Sequence, residues 1–389
     1  MKDVYIVDYV VEDCLGSDIS QNYLRMPESK GPQTVTRYNV DDYPQVLIKK
    51  GYQIDKPYAE SDNIGFKTIT GLTDQLAKKY SFPKDTSVIV SAMALGASLR
   101  EDFNQAFDSH QRRFSPTKLF MANHDLMSSL ISSKLKLDGL STSTAAACSS
   151  SMFNLYLAWL MIQAGETNAA VVGGVEAPLF AHFQYHWQCT SAISTTDGGI
   201  CKPFDKSRDG FVQGEGGALF YICDEQTLKD YNLTPKAVIR GLGVGAKMHT
   251  MTAHDKTGLH QGMLIDRALA QSGLSLKDIS YFNAHATSTA VGDDIEFDAF
   301  SKKFDNIDIP IVGFKGYVGH TMSASGLLET AYGIEAVRNG FLHPNRDLTD
   351  PLSDDPRLIT QTQTLHSKVF MKASFGFGGR SAIAIIESL

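Results

Sequence analysis

The sequence predicts an α/β fold built from two similar halves. Three observations point to it. Short apolar runs alternate with helical patterns along the chain, a Gly-rich pattern occurs twice, and 389 residues exceed what one small core needs. "MKDVYIVDYV" (1–10) reads as a first strand with a charge near its end, whereas a signal peptide would have a basic start and an unbroken apolar core. Further strands are expected at "SVIVSAMA" (87–94), "AAVVGGVEA" (169–177), "GALFYICD" (217–224), "KAVIRGLGVGA" (236–246), "IPIVGFKG" (309–316) and "SAIAIIES" (381–388). Helical periodicity covers 125–135, 152–164, 261–272, 294–303 and 326–339. Segment 152–164 is the most apolar. It is too short to span a bilayer and carries Asn154 and Gln163, so it reads as a helix buried on most sides. Residues 11–65 and 178–205 are polar and aromatic with weak periodicity, the character of excursions that build surfaces or substrate walls.

The repeat supports duplication. "DGFVQGEGGALFYI" (209–222) resembles "ASFGFGGRSAIAII" (373–386): each is a Gly-rich turn with aromatics leading into an apolar strand. Upstream of each lies a small-residue turn and then an apolar helix ending in glycine, from Cys148 to Gly165 and from His320 to Gly340. The expected halves are 1–230 and 231–389. A formal charge of −7 argues against a nucleic-acid footprint, which needs a basic face. Five cysteines, scattered and without CxxC spacing, read as reduced thiols in a cytoplasm and give no zinc ribbon.

Four places have the wrong composition for plain scaffold. Cys148 sits between "TSTAAA" and an apolar helix. Packing explains a small buried thiol, but a helix N-terminus also favours thiolate and offers N–H groups to an oxyanion. His285, in "NAHATSTAVGDDIE" (283–296), follows a strand ending at Phe282 on a small-residue loop suited to face a cleft. In "GFKGYVGHTMSASGLLE" (313–329), Lys315 leaves an apolar strand and needs a partner, for which Glu329 is the candidate, while His320 opens a helix. "SFGFGG" (374–379) makes a sharp turn that brings backbone N–H groups close to a ligand. Competing readings are weaker. "GFGG" lacks the GxGxxG order, no phosphate loop occurs, and "GLGVGA" (241–246) has no strong helix pattern after it. Asp293, Asp294, Glu296 and Asp298 suggest a metal site, yet acids at a helix start complement its dipole anyway. A thiol, two histidines and a lysine at strand and helix ends suit thioester chemistry, in which neutral imidazoles steady an enolate.

"TAAACSSS", "NAHATSTAVGDDIE", "FKGYVGHTMSASGLLE" and "KASFGFGG", in that order and spacing, resemble the four signatures of the β-ketoacyl-acyl carrier protein synthases, and "KPFDKSRDGFVQGEGG" (202–217) resembles a fifth. The resemblance covers roughly residues 85–389. It implies a thiolase fold: two βαβαβαββ halves in a five-layered α-β-α-β-α core, paired as a homodimer or with a second ketosynthase-like subunit. It also implies decarboxylative condensation of malonyl-carrier with an acyl chain on Cys148. His285 and His320 would hold and decarboxylate the malonyl thioester, and Lys315 with Glu329 would order the site. The N–H groups of Cys148 and Phe377 would form the oxyanion hole, with Phe377 as gate and Asp293 and Glu296 supporting the scaffold. No cofactor is implied beyond the phosphopantetheine arm of the carrier. Because the chain is itself acidic, docking an acidic carrier needs a local basic patch: Lys202, Lys206 and Arg208, or Arg112 with Arg113. "HATST" stands where "HGTGT" is common, and Arg380 where the family often has Thr-Asn, so a specialised polyketide or polyene pathway fits as well as fatty-acid synthesis. The alternative from another functional class is an inactive scaffold subunit resembling a chain-length factor. Such subunits lack the nucleophile, whereas Cys148 is present.

Overall fold

A computed structural model describes residues 2–56, 63–97, 107–110, 123, 125–190, 192–196, 199–250, 255–305 and 307–389. Ten strands form one sheet. In chain order they are β1 (Val4–Asp13), β2 (Ser87–Ser91), β3 (Ser141–Thr142), β4 (Ala169–Glu176), β5 (Gly216–Asp224), β6 (Ala237–Ala246), β7 (Phe282–Asn283), β8 (Ile311–Val312), β9 (Val369–Gly376) and β10 (Arg380–Ser388). Across the sheet they run β8-β7-β9-β10-β6-β1-β5-β4-β2-β3. Strands β1–β5 lie in the order third, second, fourth, fifth, first, and β6–β10 repeat that order in mirror sequence. The first three adjacencies of each half agree too: third with second and second with fourth are parallel, and fourth with fifth is antiparallel. The halves join where β1 pairs antiparallel with β6, Val4 opposite Ile239.

Helices supply the remaining layers. On one outer face lie α1 (Ile64–Lys79) and α2 (Leu126–Leu135), and on the other α4 (Leu259–Ser272) and α5 (Ala290–Lys303). Between the two halves of the sheet lie α3 (Ser150–Ala164) and α6 (Ser325–Asn339), which touch each other. The five layers implied by the sequence resemblance are therefore present. Three apolar clusters fill the gaps. The central one joins Met152 and Leu155 of α3, Leu328 and Tyr332 of α6, Phe220 of β5 and Phe370 of β9. The outer two lie under α1 and α2 and under α4 and α5. Strands covered on both faces are mostly apolar, as in the fully buried Val88–Val90.

Local chemistry sets several boundaries. Asn63 caps α1 by accepting from the Phe66 N–H. Both central helices end on a left-handed glycine, Gly165 (φ +79°) and Gly340 (φ +74°), the position where a Cβ is unfavourable. Three expectations needed correction. Helix α1 lies at the edge of a stretch read as an excursion. The strand expected over 309–316 contains only Ile311–Val312, and Lys315 starts a one-turn helix, Lys315–Val318. His320 does not open α6: it bridges to Gln213, and α6 starts at Ser325 after a short turn. Strand β9 is an addition, missed because Lys372 and the glycines interrupt its apolar pattern.

The glycines of "GLGVGA" have a packing explanation. They sit in β6 beneath α4, where a Cβ on Gly241 would lie 2.1 Å from the Ala268 carbonyl oxygen and one on Gly243 2.0 Å from that of Leu264. Gly243→Ala should therefore force helix and strand apart. The expected loss is about 1–3 kcal/mol, read as a lower denaturant midpoint at unchanged m-value; an unchanged midpoint would show that α4 shifts freely.

Candidate active site

Cys148 lies in the 3-10 turn Ala147–Ser149, which runs directly into α3. The turn is anchored by the polar residue of the apolar helix. Asn154 accepts from the Thr144 N–H at 3.0 Å and donates to Ser91 Oγ at 2.8 Å and the Gly173 carbonyl at 2.9 Å. The second half repeats the motif. The turn Met322–Ala324 precedes α6, and its first residue has φ +46°, matching φ +50° at Ala147. A non-glycine residue at positive φ is strained, so both turns are held by their surroundings.

Each turn is pressed by a strand of the other half. A Cβ on Gly376, at the end of β9, would lie 2.2 Å from the Ala146 carbonyl and 3.2 Å from the Cys148 nitrogen. A Cβ on Gly174 of β4 would lie 2.9 Å from the Cα of Ala324. Only glycine permits these approaches. The β9–β10 turn, Phe377 with Gly378 (φ +79°) and Gly379 (φ +73°), thus sits beside the Cys148 turn. An aromatic row continues from it. The Trp187 ring lies 5.6 Å from Phe377 and 5.3 Å from Phe211, and Phe211 packs edge-on at 5.0 Å against His320.

The two histidines meet. Their rings are 5.6 Å apart at 84°, and both are buried. His320 Nδ1 is 2.9 Å from Ser325 Oγ; accepting from that hydroxyl leaves the ring proton on Nε2. Burial, with the charges of Lys315 and Lys372, holds His320 well below the ordinary imidazole range, so the ring is neutral. Burial also pushes the Cys148 thiol up to about 12, against the downward pull of Lys315. The thiolate expected from a helix N-terminus is therefore not favoured at rest.

The His285 loop hangs on two carboxylates. Glu296 Oε1 accepts from the His285 N–H and Oε2 from the Ala286 N–H, both at 2.6 Å. Asp293 accepts from the Ser288 N–H at 3.0 Å and the Phe204 N–H at 2.9 Å. Ala286 (φ +39°) and Ser288 (φ +67°) occupy the positions where "HGTGT" has glycine, and the carboxylates hold that strained backbone. Burial raises Glu296 to about 7 and Asp293 to about 6 despite these bonds. The other two acids diverge: Asp294 pairs with Arg208 and Asp298 with Lys302.

Lys315 and Glu329 pair as the sequence suggested, Nζ to Oε1 at 2.6 Å, with Lys315 also donating to the His285 carbonyl at 2.5 Å. A second lysine was missed. Lys372 Nζ reaches Glu329 Oε2 at 2.5 Å, and its signal was a lone charge inside an otherwise apolar strand. The basic cluster is divided. Arg208 turns inward, with a side chain 5% exposed, and bonds Asp294 and the carbonyls of Asp205, Thr289 and Ala290. That removes it from the docking surface expected of it and leaves Lys202 and Lys206, the latter paired with Asp350. Arg112 and Arg113 lie outside the described residues.

A covered five-layer α/β core made of two repeated halves defines a thiolase-fold protein. Solved structures agree on the fold. A type II polyketide ketosynthase in complex with its acyl-carrier protein matches with a TM-score of 0.89 and 17% identity, covering 100% of both chains. A β-ketoacyl synthase from Burkholderia phymatum matches with 0.87 and 22%, again covering 100% of both chains. Family models narrow the class: the β-ketoacyl synthase N-terminal domain matches residues 71–227 and the C-terminal domain residues 236–349. The chain belongs to the β-ketoacyl synthase family. It is 30% identical over 322 residues to the chloroplastic 3-oxoacyl-[acyl-carrier-protein] synthase II of Arabidopsis thaliana, covering 81% of this chain and 59% of that one. It is 28% identical over 289 residues to 3-oxoacyl-[acyl-carrier-protein] synthase 2 of Staphylococcus aureus, covering 73% and 72%. The chain thus spans about three fifths of the length of the Arabidopsis relative. Among the described residues no helix is long and apolar enough to cross a membrane.

Glu296→Gln tests the loop clamp. An amide has one acceptor oxygen, so one of the two N–H groups it now satisfies would face an NH2 group. The expected cost is about 1–3 kcal/mol, read as a lower thermal midpoint. Unchanged stability would mean that the loop does not depend on the carboxylate.

Proposed function

We propose that the protein condenses malonyl-carrier with an acyl chain held on Cys148, as a 3-oxoacyl-[acyl-carrier-protein] synthase. The observation that carries this reading is that the end of β9, whose Phe375 ring lies 5.7 Å from His285, presses Gly376 against the Cys148 turn, while His285 and His320 pack together. Cys148 Sγ attacks an acyl-carrier thioester; a new C–S bond forms, and the carrier's thiol leaves with the proton that the buried cysteine gives up. Loss of CO2 from a malonyl thioester leaves the electron pair of the broken C–C bond as an enolate. The neutral imidazoles donate N–H to its oxygen, a role that a charge-depressed His320 fills without surrendering the proton. The enolate carbon attacks the acyl carbonyl, the Cys148 and Phe377 N–H groups receive the oxyanion, and C–S cleavage releases the β-ketoacyl-carrier. The reaction needs no resident cofactor, because the carrier's pantetheine arm presents both thioesters. The aromatic row of Phe377, Trp187 and Phe211 suits a flat, unsaturated acyl chain, which favours a polyketide or polyene pathway. We further propose a homodimer, or a heterodimer with a related subunit, as in the neighbour titled as the ishigamide ketosynthase/chain length factor.

Cys148→Ala should abolish acyl-enzyme formation, measured by intact-mass spectrometry, without unfolding the protein. Cys148→Gln should still decarboxylate malonyl-carrier but not condense it. His285→Ala and His320→Ala should each lower condensation by roughly two orders of magnitude while retaining some self-acylation. Acyl-enzyme in the alanine variant of Cys148, or normal decarboxylation in either histidine variant, would remove the assignment.

Docking of an acidic carrier falls to the half-buried Lys202 and the exposed Lys206. Reversing both to glutamate should raise KM for carrier-bound substrate and leave a small pantetheine thioester unaffected. Unaltered carrier kinetics and salt dependence would place docking elsewhere.

A further inference from the structure

Lys372 projects from the middle of β9 with a side chain that has no exposure. A buried ammonium is costly unless paired and fully bonded. Lys372 meets that condition through Glu329 Oε2 at 2.5 Å, Asn283 Oδ1 at 3.1 Å and the Ala284 carbonyl at 3.2 Å. The opposite oxygen of Glu329 takes Lys315, which also donates to the His285 carbonyl. One carboxylate therefore holds two ammonium groups. Each ammonium also grips the segment 283–285 that delivers His285, and Asn283 in turn donates to the Glu329 carbonyl at 2.8 Å.

We propose that Lys372 is a positioning residue that locks Glu329 and the His285 segment together and adds a second buried positive charge beside the single carboxylate of Glu329, to the benefit of anionic states at Cys148 and on the enolate. The enolate part rests on the ketosynthase reading above; the effect on Cys148 does not. Three charged groups act on Lys372: Glu329 from α6, Lys315 from its one-turn helix and Glu296 from α5. Burial pushes Lys372 down to about 8, aided by Lys315 and opposed by Glu329 and Glu296. The Lys372 charge is thus present below that pH and lost above it, and His320 is among the groups that feel it.

Two variants test this in the full chain. Lys372→Met removes charge and hydrogen bonds, whereas Lys372→Gln keeps an amide with two donors for Asn283 and Ala284 and removes the charge with the bond to Glu329. Iodoacetamide alkylation near pH 7, read at the Cys148 peptide by mass spectrometry, needs no carrier substrate. Both variants should react at least about threefold more slowly, because a lost positive charge raises the thiol pKa. Mere loosening of the site would instead expose the thiol and speed the reaction. Condensation should lose about tenfold in kcat with carrier KM little changed. Unchanged or faster alkylation in folded Lys372→Gln overturns the proposal. Should neither variant fold, carbon-13 labelled lysine in the parent decides by NMR: both buried lysines protonated at pH 7 support the proposal, and a buried lysine already neutral there overturns it. A parent that never condenses carrier thioesters removes the ketosynthase reading, while the alkylation result still decides the role of Lys372 at the thiol.

Discussion

Backbone-to-backbone contact at two glycines is the constraint on which this site depends. Gly376 lets the end of β9 lie against the Cys148 turn, and Gly174 lets β4 lie against the turn before α6. Each half thereby seats the reactive turn of the other. The seating of the Cys148 turn against β9 is set by close-packed main chain rather than by flexible side chains. Packing of this kind is stiff, because interiors approach crystal density and deform little. The central helices reinforce it: Gly326 of α6 sits where a Cβ would lie 2.4 Å from the Met152 side chain of α3.

Charge does the finer placement. The carboxylates nearest the histidines do not face a substrate; they accept from peptide N–H groups of the loop that must pass through positive φ. A buried carboxylate with two N–H partners is satisfied in a way that a lone one is not. The same logic recurs in the first half, where Glu176 accepts from the Met93 and Ala94 N–H groups at 2.8 and 2.7 Å and from the Ser323 hydroxyl across the interface. Acids thus serve as backbone clamps in both halves, and lysines as counter-charges.

Burial has opposite consequences for the thiol and the imidazole. It makes Cys148 reluctant to ionise and keeps His320 from gaining a proton. A resting thiol reacts slowly with stray electrophiles, and a neutral imidazole can donate a hydrogen bond. Both states suit chemistry in which charge appears only when a substrate brings it, and the lysine charges already act on both groups at rest, Lys315 drawing the Cys148 thiol down and Lys315 with Lys372 helping to hold His320 neutral.

The sequence by itself determined the α/β class, the duplication, the strands with uninterrupted apolar character and the identity of Cys148, His285, Lys315, His320 and Glu329 as a group. These were legible because periodicity, small-residue turns and a charge leaving an apolar strand are local signals. Tertiary structure alone decided the rest. Lys372 broke the apolar pattern and hid its strand, and its role showed only when Glu329 was placed beside it from 43 residues away. Arg208 looked like surface charge until its guanidinium was found folded onto the start of α5. Trp187 and Phe211 became one wall only when a helix and a loop converged. The thiol's ionisation was misjudged for the same reason: a helix N-terminus is written in local sequence, whereas the depth of burial that opposes it depends on everything packed around it.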